Sequence, residues 1–207
     1  MTNPRRDLPL LFTLLVLLNL HSSAALDSAD PPAESTGSEY IRTSCGSTLY
    51  PEVCYTSLSR YSSAVKSNPA RLARLAIAVS LSHARRMASY ISNLTREADF
   101  GTNTRASSAL HDCFSNLGDA VEEIRGSLKQ MRQIGAAGAS GFMFQMSNVQ
   151  TWMSAALTDE ETCTDGFEDV PVGDKMKKEV CDKVIDVKKF TSNALALVNN
   201  YASKGTP

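Results

Sequence analysis

Three groups of residues in the chain have the types and spacing from which sites are built. His111, Asp112 and Cys113 stand in a row and supply a thiol, a base and an orienting carboxylate. The run TDEETCTDGFED gathers Asp159, Glu160, Glu161, Asp165, Glu168 and Asp169 with no basic residue among them. Such a run suits a cation site, a pair of carboxylates for acid–base work, or a docking surface. The third group is the glycine-rich run GAAGASG between Ile134 and Phe142, which looks like a phosphate cradle in its glycines alone.

Each catalytic or metal reading meets a geometric objection. Helical neighbours point about 100° apart, so His111, Asp112 and Cys113 cannot turn their side chains onto one reacting atom. If Gly166 is placed at the glycine of a calcium-binding EF-hand loop, Cys163 falls on a ligand position and Val172 where the bidentate glutamate belongs. His83 and His111 lie far apart with no HExxH or CxxC spacing, which excludes a recognisable zinc site. His83 falls on an apolar stripe and is expected to be hydrogen-bonded within the core. GAAGASG lacks the lysine and the preceding strand of a nucleotide cradle and is expected to be a flexible link. No catalytic residue, metal or cofactor is therefore assigned. For the acidic run, a solvated loop and a docking surface remain as readings.

Secretion sets the redox compartment. Arg5 and Arg6 precede an apolar run from Leu8 to Leu20, too short to span a bilayer, and Ser23-Ala24-Ala25 supplies the small residues of a cleavage site. Residues 1–25 are read as a signal peptide, 26–38 as a flexible linker rich in Ser, Pro and Asp, and 39–204 as one domain. Removing Arg5, Arg6 and Asp7 from 21 basic and 22 acidic residues leaves 19 and 21, a formal charge of −2. That balance suits neither nucleic acid nor an anionic membrane as partner, and no later stretch is apolar for long enough to insert. Cys45, Cys54, Cys113, Cys163 and Cys181 should oxidise outside the cell; five thiols allow two bridges and one free thiol in fifteen arrangements. Asn93-Leu94-Thr95 is a glycosylation sequon on a polar row with Ser82, Arg86 and Ser89.

Apolar spacing locates the elements that position these residues. Glu39 to Ser67 reads as a small helical hairpin broken at Tyr50-Pro51. Asn68-Pro69 caps a long helix to Glu97, and DFGTN turns the chain into a second from Thr104 to Ile134. A third is expected over Met143–Leu157 with Trp152 and Met153 in the core, followed by an acidic loop, and a fourth from Asp174 to Tyr201. The fold class is all-α: an antiparallel up-and-down four-helix bundle preceded by the hairpin. Cys113 lies on the inward stripe of the second long helix, and a bond from there to Cys163 would pin the acidic segment as a rigid presented surface. Asn148 and Gln150 face away from the core stripe and are candidates for exposed polar contacts with a partner.

Three segments, CGSTLYPEVC, ALHDCFSNLGDAVEEI and SNVQTWMSAALTDEETCTDGF, together resemble the plant pectin methylesterase inhibitor domain of the invertase and pectin methylesterase inhibitor family, over about Glu39 to Tyr201. The resemblance implies two disulfides, Cys45–Cys54 and Cys113–Cys163, with Cys181 free. It implies a secreted protein of the plant cell wall, or apoplast, that is no enzyme itself. Such a protein forms a reversible, non-covalent 1:1 complex with pectin methylesterase and covers the enzyme's pectin-binding cleft and catalytic aspartates. Thr162 and Asp165 match positions that contact the enzyme, and Asp119 matches an acidic position on the second long helix. Ser115 departs from the glutamate that some inhibitors carry two residues after the third cysteine.

Two other readings compete. Invertase inhibitors share the fold and resemble one another in a Pro-Lys-Phe segment before the fourth cysteine; this chain has no such tripeptide there. Acid invertase is therefore the alternative partner. The same domain leads pectin methylesterase precursors, but the chain has no room for a catalytic β-helix, so a stand-alone inhibitor is expected. A reading from another class is an apoplastic ligand-binding or signalling bundle, which would need an apolar cavity or a receptor.

Overall fold

The structure, a computed structural model, describes residues 33–97, 104–134, 138–171 and 175–204. The expected signal peptide, the first part of the expected linker and the DFGTN turn lie outside the described residues. The helices are α1 Ala33–Cys45, α2 Pro51–Leu58, a 3₁₀ turn Ser59–Tyr61, α3 Ser62–Val65, α4 Pro69–Glu97, α5 Thr104–Gln133, α6 Gly138–Asp165 and α7 Lys175–Ala202. No strand occurs among the described residues.

The four long helices form an antiparallel ring: α4 packs on α5 and α7, and α6 packs on the same two. Cross-links between neighbours show the alternation of direction. Between α5 and α6, Cys113 meets Cys163 and the Ser127 hydroxyl donates to the Val149 carbonyl at 3.4 Å. Between α4 and α7, Ser80 meets Thr191 while Tyr90 meets Lys183. Each helix turns a 3.6-residue stripe inward. Leu110, Leu117 and Ile124 of α5 and Met146, Val149 and Met153 of α6 are all buried in the common core. The Phe142 ring sits edge-on to Tyr201 at 5.4 Å and closes the core at one end.

The hairpin covers that bundle end. Cys45 and Cys54 are bonded, and the Asn193 side chain holds the Tyr50 backbone at both groups, accepting from its N–H at 3.1 Å and donating to its carbonyl at 2.9 Å. Pro51 occupies the first turn of α2, where its missing N–H has no helical partner to lose. Lys66 and Ser67, both at positive φ, reverse the chain before α4. Asn68 then caps α4 by accepting the Arg71 N–H at 2.9 Å.

Four expectations need correction. Residues 33–38, read as linker, are helical: Gly37 lets α1 approach the Ser62 backbone, and Ser38 reaches the Tyr55 hydroxyl at 3.0 Å. The third long helix runs past both expected ends, from Gly138 to Asp165, so the acidic segment is helix through two more turns and not a loop. Met153, Ala156, Glu160 and Cys163 are all buried at helical spacing, and that packing outweighs the weak propensity of a threonine-rich acidic run. Trp152 is exposed, not core. His83 is half-buried and stacks on Phe190 at 3.6 Å, and burial with the nearby Arg86 and Arg60 pushes its imidazole down to about 4.

Candidate functional site

The α5–α6 pair carries the residues singled out for docking. Cys113 and Cys163 are buried and bonded, with Cα atoms 4.1 Å apart, so the two helices are clamped near the C-terminal end of α6. On α5 the helical period brings Ser115, Asp119, Glu123 and Gly126 into one row; on α6 it aligns Phe144, Asn148, Trp152, Asp159 and Thr162. Both rows run beside the shared seam. Ser115, Asp119, Thr162 and Asp165 are exposed, and Asn148 is half-buried.

The face divides into two halves. Near the clamp it is acidic. Glu123 and Asp159 meet across the seam, and burial first, then the charge and hydrogen bond of Asp159, push the Glu123 carboxyl up to about 7. Burial likewise raises Asp159, its hydrogen bond to Glu123 opposes the rise, and the charge of Asp119 adds to it. Two carboxylates this close share a proton, because both charges together are too costly beside a desolvated seam. The far half is apolar: Trp152 lies over Gly126, whose absent Cβ would stand 3.3 Å from the ring, and Phe144 and Met143 are strongly exposed. The missing side chain here lets the indole pack close against α5.

The side chains on this face are held by local bonds. Thr162 donates to the Thr158 carbonyl at 2.9 Å and Thr158 to that of Ser154 at 3.1 Å, which leaves little rotamer freedom to lose on docking. Gln150 stands apart from the rest: its amide donates to Asn199 at 2.9 Å, on the α7 side of α6. Asn93 is exposed on α4 and accepts from Arg96. Cys181 is a half-buried free thiol on α7, raised by desolvation.

Sequence reasoning missed two things here. Trp152 looked like core because Met153 and Val149 beside it are core; the signal that separates them is the glycine opposite, and that pairing needs the helix register. Glu160 looked like one more solvated acid, although its place in the 153–156–160–163 series marks it as inward. It is fully buried and accepts the Thr191 hydroxyl at 2.8 Å, with Ser80 2.9 Å behind. Among the described residues, no group of three His, Cys, Asp or Glu is disposed to hold a metal. A rigid, two-toned face beside a helix seam is an arrangement for binding another protein.

Known proteins show the same architecture. The structure resembles the crystal structure of mutant form A of a pectin methylesterase inhibitor from Arabidopsis, with a TM-score of 0.58 at 21% identity over 77% of this chain and 95% of that one. By sequence the chain is 40% identical over 195 residues to the "21 kDa protein" of Daucus carota, covering 94% of this chain and 95% of the relative. It is 39% identical over 194 residues to "Pectinesterase inhibitor 9" of Arabidopsis thaliana, covering 93% and 95%. The family model described as plant invertase/pectin methylesterase inhibitor matches residues 39–197. On these grounds the chain belongs to the plant invertase/pectin methylesterase inhibitor family.

Proposed function

We propose that the chain is a secreted inhibitor of pectin methylesterase, acting in the plant cell wall through a reversible, non-covalent 1:1 complex in which the α5–α6 face covers the enzyme's pectin-binding cleft. The observation that carries this reading is the disulfide-clamped face itself, with Ser115, Asp119, Thr162 and Asp165 exposed around it. Its support from relatives is their naming: relatives such as the one from Arabidopsis thaliana at 39% identity are called pectinesterase inhibitors.

The physics of such inhibition is occlusion. An acidic rim meets the cationic groups of a partner and orients the encounter, while Trp152 and Phe144 supply apolar area that water leaves on contact. A standard interface of about 1,600 Å² in total can be built from two helical rows of this length. A helical clamp that is already ordered loses little conformational entropy on docking, so more of the contact energy survives as affinity.

The test is a titration of the purified mature chain against several plant pectin methylesterases, with acid invertase run alongside. The expected outcome is stoichiometric loss of esterase activity at one inhibitor per enzyme and no effect on invertase. Inhibition of invertase alone overturns the reading.

A further inference from the structure

The groove between α4 and α5, on the side of α5 away from the α6 seam, is lined by arginine. At the hairpin end Arg71, Arg74 and Arg132 surround a recess of about 210 Å³ whose remaining walls are Ala64, Val65, Leu75, Ala78 and Leu128. No carboxylate lines it, and none of the three guanidinium groups joins an ion pair among the described residues. Farther along the same groove a wider recess of about 620 Å³ is lined by Arg85, Arg96 and Arg125 together with Phe114 and with Asn93, which accepts a hydrogen bond from Arg96. Its one carboxylate, Glu122, is paired with Arg125.

The spacing of these arginines is regular. Arg74, Arg85 and Arg96 recur every eleven residues on α4, and eleven residues make just over three helical turns, so the three keep nearly one azimuth. Arg125 and Arg132 recur at seven, which does the same on α5. From Arg71 to Arg96 the row extends about 37 Å at 1.5 Å per residue. A chain whose net charge is only −1 therefore holds a cationic strip on one side and the Asp119–Glu123–Asp159 acids on another.

We propose that this strip binds an acidic polysaccharide of the uronate type, the de-esterified product of the enzyme that the chain is read to inhibit, with Arg71, Arg74 and Arg132 forming its principal subsite. The identification of the polymer rests on that reading; the cationic strip does not. Ester hydrolysis of a methylated uronate leaves a carboxylate, and a guanidinium takes a carboxylate in a two-pronged, charge-assisted bond that the methyl ester cannot form. The apolar floor of the first recess suits the C–H face of a sugar ring, while arginines at its rim take the carboxylates that flank the ring. The length of the row calls for a repeating polyanion, since a single small anion would occupy one recess and leave the rest unused. A nucleic acid fits less well: single strands need a series of aromatic stacking platforms, and Phe114 of the wider recess is the one aromatic side chain that lines either recess. Because α5 offers this strip toward α4 and the docking rows toward α6, polymer and esterase can be held together. The inhibitor would then gather where its target has already acted.

The experiment is retention of the purified mature chain on immobilised polygalacturonate at rising salt, compared with fully methyl-esterified pectin and with duplex DNA at equal charge, and esterase inhibition measured in parallel. The expected result is salt-sensitive retention on polygalacturonate that weakens at least tenfold with methyl esterification and on DNA. The triple variant Arg71→Gln/Arg74→Gln/Arg132→Gln should lose at least tenfold in affinity with its unfolding temperature and esterase inhibition unchanged. The matching triple lysine variant, which keeps the charge but not the fork, should recover only part of the loss. Equal retention on esterified pectin or on DNA, or undiminished binding by the glutamine variant, overturns the proposal. Retention without any esterase inhibition supports the polymer site and removes the inhibitor reading; inhibition without retention does the reverse.

Discussion

Glu160 shows how one residue in an acidic run acquires a different role from its neighbours. Its carboxyl is fully buried, takes one hydrogen bond from Thr191, and is pushed up to about 8 by burial, against the pull of that bond and of Lys188. The unfolded chain releases this proton near the ordinary 4.5. Between those two values the folded chain binds more protons than the unfolded one, so stability falls as pH rises through the window, is greatest below it and levels off above it. The slope from this group alone is at most about 1.4 kcal/mol per pH unit. Glu160→Gln keeps the shape and the acceptor for Thr191 but cannot ionise. Urea unfolding of that variant should show a flatter dependence between pH 5 and 7.5 and a higher midpoint at pH 7.5 than the parent chain. An unchanged slope would show that Glu160 is not the group responsible. The sequence marked this residue only through its spacing from Met153 and Cys163, because an acidic residue in an acidic run carries no label of burial.

Helical glycines separate the contributions of propensity and packing at the scale of an element. Gly37 of α1 and Gly118 of α5 are both helical, and an alanine in either place gains about 1 kcal/mol in intrinsic helix preference. Their surroundings differ. A Cβ on Gly37 would stand 2.6 Å from the Ser62 carbonyl oxygen, a backbone atom that cannot step aside without moving α3, whereas a Cβ on Gly118 meets nothing within 4 Å. Gly118→Ala should therefore raise stability by roughly 0.5–1 kcal/mol, and Gly37→Ala should lower it by about 1–3 kcal/mol. Thermal unfolding of the two variants side by side checks the contrast, and the same sign for both would refute it. The four long helices were legible from their apolar periodicity, but the ends of α6 were not. Its last two turns are held by the burial of Glu160 and Cys163 against α5 and α7, a long-range fact that a window of sequence does not contain.

Over the whole molecule the two disulfides have unequal reach. Cys45–Cys54 spans nine residues within the hairpin, and Cys113–Cys163 spans fifty and joins two bundle helices. On the loop-entropy model the first is worth about 2.7 kcal/mol and the second about 4 kcal/mol. The paired replacement Cys113→Ala/Cys163→Ala should lower stability by about that larger amount and weaken esterase inhibition by at least tenfold. Cys45→Ala/Cys54→Ala should cost less and leave inhibition nearly intact at temperatures where both variants remain folded. Equal inhibition by the two variants would remove the clamp from the mechanism, since only the second bridge ties the α5–α6 face together. Composition gave no warning of the division of charge between the two sides of α5: a formal charge of −1 hides an acidic seam and an arginine strip whose members lie tens of residues apart.

The amino-acid sequence by itself determined that the described residues are helical, where three of the four long helices begin, and most of the stripe that each buries, because those properties follow from the 3.6-residue period and from capping residues within one helix. Tertiary structure decided the rest. It set which carboxylates face each other across a seam, which of two adjacent residues, Trp152 or Met153, reaches the surface, how far α6 continues, and which arginines share a groove. Each of these depends on the register between helices distant in sequence, and that register is settled by packing the whole core at once.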